Sequence, residues 1–153
     1  MKSNLFLTVA ICLLLFSCNK KSENPNCLAV INPPKLKFNI ISQESQKDLF
    51  FAESAAYQVS DLKIYKYSDT KHEQPLKIEV QVEGESGKKN FSINLDGALT
   101  NGSLEFNIGS SIQHKLDYSA SIIKTPCPEY KINEIKFNQT VVTTNTGIYM
   151  LMN

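Results

Sequence analysis

Apolar and polar residues alternate along most of this chain. Leu36, Phe38 and Ile40 fall on one side of the alternation and Lys35, Lys37 and Asn39 on the other. Leu76, Ile78, Val80 and Val82 alternate in the same way with Lys77, Glu79, Gln81 and Glu83. Phe91, Ile93 and Leu95 repeat the pattern, followed by Leu104, Phe106 and Ile108, then by Leu116, Tyr118, Ala120 and Ile122. A period of two marks strands with one buried face, and its recurrence at short intervals predicts an all-β domain. Between the runs, Gly84-Glu85-Ser86-Gly87 reads as a turn, and Asp96-Gly97 and Asn101-Gly102 flank a short connection. Asp-Gly and Asn-Gly supply the positive φ that tight hairpins require. Ile132 and Ile135 are out of phase, which predicts a β-bulge at Asn133-Glu134. The segment 148–152 reads as a last strand. In 43–60, Leu49-Phe50-Phe51 reads as a short strand followed by a loop, the alternative being a helical turn that includes Ala52, Ala55 and Ala56.

About seven to nine short strands predict a single β-sandwich, immunoglobulin-like or transthyretin-like, over residues 35–153, with a lipocalin-type barrel as the alternative. The absence of tryptophan and the wide spacing of the cysteines argue against an antibody-type domain.

The N-terminus follows another pattern. Lys2 precedes an apolar run from Leu5 to Phe16. At about twelve residues this run is shorter than the roughly 20 a spanning helix needs, and it fits a secretory signal peptide over 1–17. Leu15-Phe16-Ser17-Cys18 resembles the bacterial lipobox, with Phe16 a departure from the small or aliphatic residue usual at that place. The resemblance implies cleavage before Cys18 and a diacylglycerol thioether on its sulfur. Asn19 at the following position implies, by the same resemblance, sorting to the outer membrane. Residues 18–34 then read as a lipidated cysteine and tether, closed by Asn32-Pro33-Pro34, which favours an extended approach to the first strand.

Charge narrows the possible partners. The basic residues are all lysines, and losing Lys2 with the leader leaves 15 lysines against 15 carboxylates. A near-neutral chain without arginine lacks the basic face that nucleic acids require and the guanidinium fork common in phosphate sites. With Cys12 in the leader and Cys18 lipidated, Cys27 and Cys127 remain, and two cysteines in an exported protein are expected to pair. No metal, and no cofactor beyond the acyl lipid on Cys18, is expected. His72 lies in the polar stretch Asp69–Glu73 and reads as solvated, while His114 is in phase with Leu116 and reads as an edge-of-core residue. Glu79, Glu83 and Glu85 fit a solvated strand face better than a catalytic pair, and Asn94-Leu95-Asp96-Gly97 is only a fragment of a calcium loop. The chain therefore reads as non-enzymatic.

Pro34-Lys35-Leu36-Lys37-Phe38-Asn39-Ile40, Lys47-Asp48-Leu49-Phe50-Phe51, residues 57–65, Cys127-Pro128-Glu129-Tyr130 and Ile135-Lys136-Phe137-Asn138 together resemble a set of small, functionally uncharacterised Bacteroidota lipoproteins. The resemblance implies a lipoprotein with a β-sandwich and carries over no catalytic residue. Two functional classes follow. One is a binding or adhesion module at the cell envelope, for a glycan or protein partner, with Tyr65 and Tyr67 as the candidate contact residues on the face opposite Leu62 and Ile64. The other is an accessory or structural subunit of an outer-membrane assembly that offers an edge strand.

Overall fold

The computed structural model describes residues 32–95, 100–110, 112–124, 127–144 and 146–153. The leader, Cys18, Cys27 and the Asp96-Gly97 pair lie outside them. Among the described residues the chain forms nine strands: β1 Lys35–Ile41, β2 Leu62–Lys66, β3 Glu79–Glu83, β4 Lys88–Asn94, β5 Asn101–Ile108, β6 Ile112–Ile123, β7 Glu129–Phe137, β8 Thr140–Val142 and β9 Ile148–Met152. They make a two-layer sandwich, a four-stranded sheet in the order β3-β4-β1-β9 and a five-stranded sheet in the order β2-β5-β6-β7-β8. Every ladder is antiparallel except β1–β9, which is parallel. No helix among the described residues is long and apolar enough to cross a membrane.

The alternating runs supply the inner faces. Leu36, Phe38 and Ile40 of β1, Phe91 and Ile93 of β4, Leu104, Phe106 and Ile108 of β5, and Leu116 and Tyr118 of β6 are all buried. Phe38 stacks on Phe91 in its own sheet at 5.4 Å and meets Phe106 of the other sheet edge-on at 5.2 Å. Phe106 in turn meets Phe137 at 5.8 Å. Such ring pairs contribute about 0.5–1.5 kcal/mol each beyond simple burial, and here they join the two layers at their centre. The expected bulge is present: Ser119 pairs with Glu134 and Ala120 with Ile132, so Asn133 is the extra residue, and the shift returns Ile132 to the inner side.

Three sequence expectations are corrected. Leu49-Phe50-Phe51 is not a strand. After an isolated bridge between Ile41 and Asp48, the Asp48 carboxylate accepts the backbone N–H groups of Phe50 and Phe51, both at 2.8 Å, and turns the chain there. The other oxygen of Asp48 is bonded by the Asn39 amide, which also donates to the Lys89 carbonyl at 3.0 Å. The turn thereby drops Phe50 and Phe51 onto Phe91 at 5.2 and 4.7 Å. Second, the run 76–82 is a strand only from Glu79, and its apolar row leaves the core there: Leu76 and Ile78 pack half-buried against it, but Val80 is 41% and Val82 61% exposed. Both lie on the side of Phe91, so the opposing sheet does not extend beneath this edge. Third, Asn101-Gly102 opens β5 rather than forming a turn. Gly102 is needed for space: a Cβ there would meet the Tyr118 ring at 2.4 Å.

Candidate functional site

The connection from β2 to β3 shapes one end of the sandwich. Tyr67 continues β2 by donating its N–H to the Ser103 carbonyl at 3.0 Å. The chain then turns at Asp69, whose carboxylate accepts the Gln74 N–H at 2.9 Å, and returns as Leu76 donates to the Ile64 carbonyl at 2.7 Å. That backbone hydrogen bond from Gln74 holds the Asp69 carboxyl below its usual range. At the apex of the return, His72 adopts a left-handed conformation, φ 54°. Its ring lies on Tyr65 at 4.6 Å, and its Nε2 is 2.9 Å from Glu105 Oε1. His72 is therefore not the solvated side chain that its polar neighbours suggested. It fastens the loop to the outer face of the five-stranded sheet.

This return leaves a cavity of 300 Å³ between the layers, with Leu76, Leu95, Leu104 and Tyr118 as its apolar walls and Tyr67 and Ser68 among the residues bounding it. Tyr118 can lie across β5 because its ladder partner is Gly102. The lining then continues over β5. Gly102, Ser103 and Tyr118 also border a polar groove of 480 Å³ on the outer face, bounded by Asn101, Asp117, Ser119, Glu134 and Lys136.

Tyr67 stands where cavity and outer face meet. It is 55% exposed, and the Lys115 ammonium sits 4.9 Å from its ring centroid. Lys115 also contacts Asp117 at 2.9 Å, and the Ser103 hydroxyl donates to the same carboxylate. Burial opposes ionisation of Asp117, but the hydrogen bonds from Ser103 and Lys115 outweigh it and keep the carboxyl below its usual value. The Asp117 contact in turn raises the Lys115 ammonium above its own. The result is an ordered row of ring, cation and anion beside an apolar cavity, an arrangement suited to a ligand with one apolar and one polar part.

The candidate residues separate on this geometry. Tyr65 and Tyr67 share the outer face, as expected, but Tyr65 is 6% exposed beneath His72 and offers no contact surface, whereas Tyr67 does. His114 faces inward as read, tilted over Phe137 at 5.1 Å with its Nδ1 2.7 Å from the Asn138 amide. Glu79 and Glu83 are engaged by Lys35 and Lys37 at 3.8 and 3.7 Å. Cys127 lies just ahead of β7 and is not without an interaction partner. Among the described residues, no group of three or more His, Cys, Asp or Glu side chains is placed to hold a metal ion. The cavity itself was missed in the sequence. Its one local signal is Asn101-Gly102, a glycine that the turn vocabulary explained too readily.

These features define a β-sandwich with a composite apolar and polar site at one end. No protein family, curated protein or solved structure matches the chain.

Proposed function

We propose that this chain is a membrane-anchored lipoprotein, tethered through Cys18 at the outer membrane, whose sandwich is a non-catalytic binding module of the cell envelope. The anchor rests on the leader and on Leu15-Phe16-Ser17-Cys18. Acyl chains contribute about 0.8 kcal/mol per buried CH₂, so a doubly or triply acylated cysteine holds a protein to its leaflet. The proposal includes a Cys27–Cys127 bond. The nine residues from Cys18 to Cys27 reach at most about 30 Å, which would keep the head of β7, and the cavity at the same end of the sandwich, close to the membrane.

The binding role is carried by one observation, the 300 Å³ apolar cavity that opens beside Tyr67 onto a polar groove. A cavity of this size is at the lower end of those that take small molecules, and it suits a ring or a short branched chain. The polar part of the ligand would lie along Ser103 and Asp117. The reading is tested with the fluorescent amphiphile anilinonaphthalene sulfonate and Leu76→Trp, which fills the cavity from the half-buried loop side. Saturable binding at one site in the wild type, weakened about tenfold or more in Leu76→Trp, is expected. Binding that does not saturate, or that Leu76→Trp leaves unchanged, removes the cavity from the function.

A further inference from the structure

We propose that β9 is a self-association edge, through which two copies of this chain join their four-stranded sheets by antiparallel β9–β9 pairing. Among the described residues β9 ends its sheet, and its ladder is with β1 alone. Asn153 exchanges backbone bonds with Ile41 and Gln43 on the β1 side. By the alternation of a ladder, 149 and 151 also turn their N–H and C=O groups towards β1, while 148, 150 and 152 turn theirs outward. The Ile148 carbonyl already accepts the Thr144 hydroxyl at 2.8 Å, which agrees with this assignment. The outward groups of Met150 and Met152 are a template for another strand.

The occupant follows from the charges on the four edges. β3 carries Glu79 and Glu83, β2 carries Lys63 and Lys66, and β8 is a three-residue strand behind the left-handed Asn138-Gln139 turn. Antiparallel pairing of β3 with its own copy about Gln81 would set Glu79 opposite Glu83, and β2 would bring two lysines to any such edge. β9 reads Ile148-Tyr149-Met150-Leu151-Met152, with no charge, proline or glycine. A two-fold axis at Met150 sets Met150 opposite its copy and Ile148 opposite Met152, all on one face, with about four inter-strand hydrogen bonds that do not draw on the Ile148 carbonyl. Met150 is 48% and Met152 38% exposed, so apolar area is at hand for the contact. A five-residue edge is small for a stable interface, so the free protein should associate weakly. A shared membrane surface would raise the effective concentration.

The test uses the full chain as Cys18→Ser, to remove the lipid, and follows mass by sedimentation across a concentration series. A concentration-dependent dimer is expected. Met150→Lys, at an exposed position that leaves the core intact, should weaken it about tenfold or more by placing two ammonium groups opposite each other. Met150→Glu should do the same, and mixing the two variants should restore a one-to-one dimer. Val82→Lys on the other edge should leave dimerisation unchanged. A protein that stays monomeric throughout, a dimer indifferent to both Met150 variants, or one lost equally in Val82→Lys overturns the proposal.

Discussion

The four-stranded sheet ends in two strands of equal length and unlike character. β3 and β9 each have five residues, and each exposes apolar side chains, Val80 and Val82 on one and Met150 and Met152 on the other. β3 is held from outside. None of its residues is buried, and its glutamates reach Lys35 and Lys37 on β1, across β4, where Asn90 and Ser92 are 1% exposed. β9 is held from inside, with Leu151 fully buried in the core and no charged residue of its own. A charged edge resists further pairing and an uncharged one invites it, so the two ends of one sheet differ in what they can do next.

The largest test of this difference is in the core. Leu151→Ala should cost about 2–5 kcal/mol of unfolding free energy, the range for emptying a buried leucine site. Val82→Ala, at a side chain 61% exposed, should change stability by no more than about 0.5 kcal/mol. Denaturant titration of both variants checks this. A mild Leu151→Ala would mean that β9 is not anchored in the core and that the contrast between the edges fails.

How much of this could be read from the chain alone differs between the edges in the same way. Leu36, Phe38, Phe91, Phe106 and Leu116 obey the alternation because both layers extend over them, and the bulge at Asn133 shows as a break in phase. β3 alternates just as cleanly, yet periodicity records which way a side chain points and not whether anything lies opposite it. The Leu49–Phe51 turn depends on Asp48 accepting two backbone N–H groups and binding Asn39, a partner nine residues away. His72 on Tyr65 and Tyr118 over Gly102 likewise join residues whose neighbours in sequence give no hint of the contact. Strand faces are local properties of a sequence. Edge coverage and cavities are properties of the assembled layers.

A smaller effect concerns the ion pairs that tie β3 down. The Lys37–Glu83 pair is exposed to nearly two-fifths on both sides, and exposed pairs couple by about 0–1 kcal/mol. A double-mutant cycle with Lys37→Ala and Glu83→Ala should therefore return a coupling below about 1 kcal/mol, while amide exchange along β3 quickens. A coupling of several kcal/mol would make β3 as firmly held as β9.

The least of these effects separates the two edges by pH. His114 lies near the end of β9, where burial lowers its pKa and hydrogen bonds with the Asn153 and Asn138 side chains partly offset that. The folded protein thus keeps His114 neutral at a pH where the unfolded chain already binds a proton. Stability is unaffected above the ordinary histidine value of about 6.5 and falls as the pH drops below it towards the folded value. On β3, the hydrogen bond from Lys77, with Lys35 nearby, holds Glu79 below its ordinary value of 4.5, so its contribution is present above that value and lost only in stronger acid. Between pH 7.5 and 5.5 the wild type should therefore lose stability through His114 alone of these two groups, and His114→Gln should flatten the profile in that window. An unchanged slope in His114→Gln would place the proton uptake elsewhere and leave the two edges indistinguishable in acid.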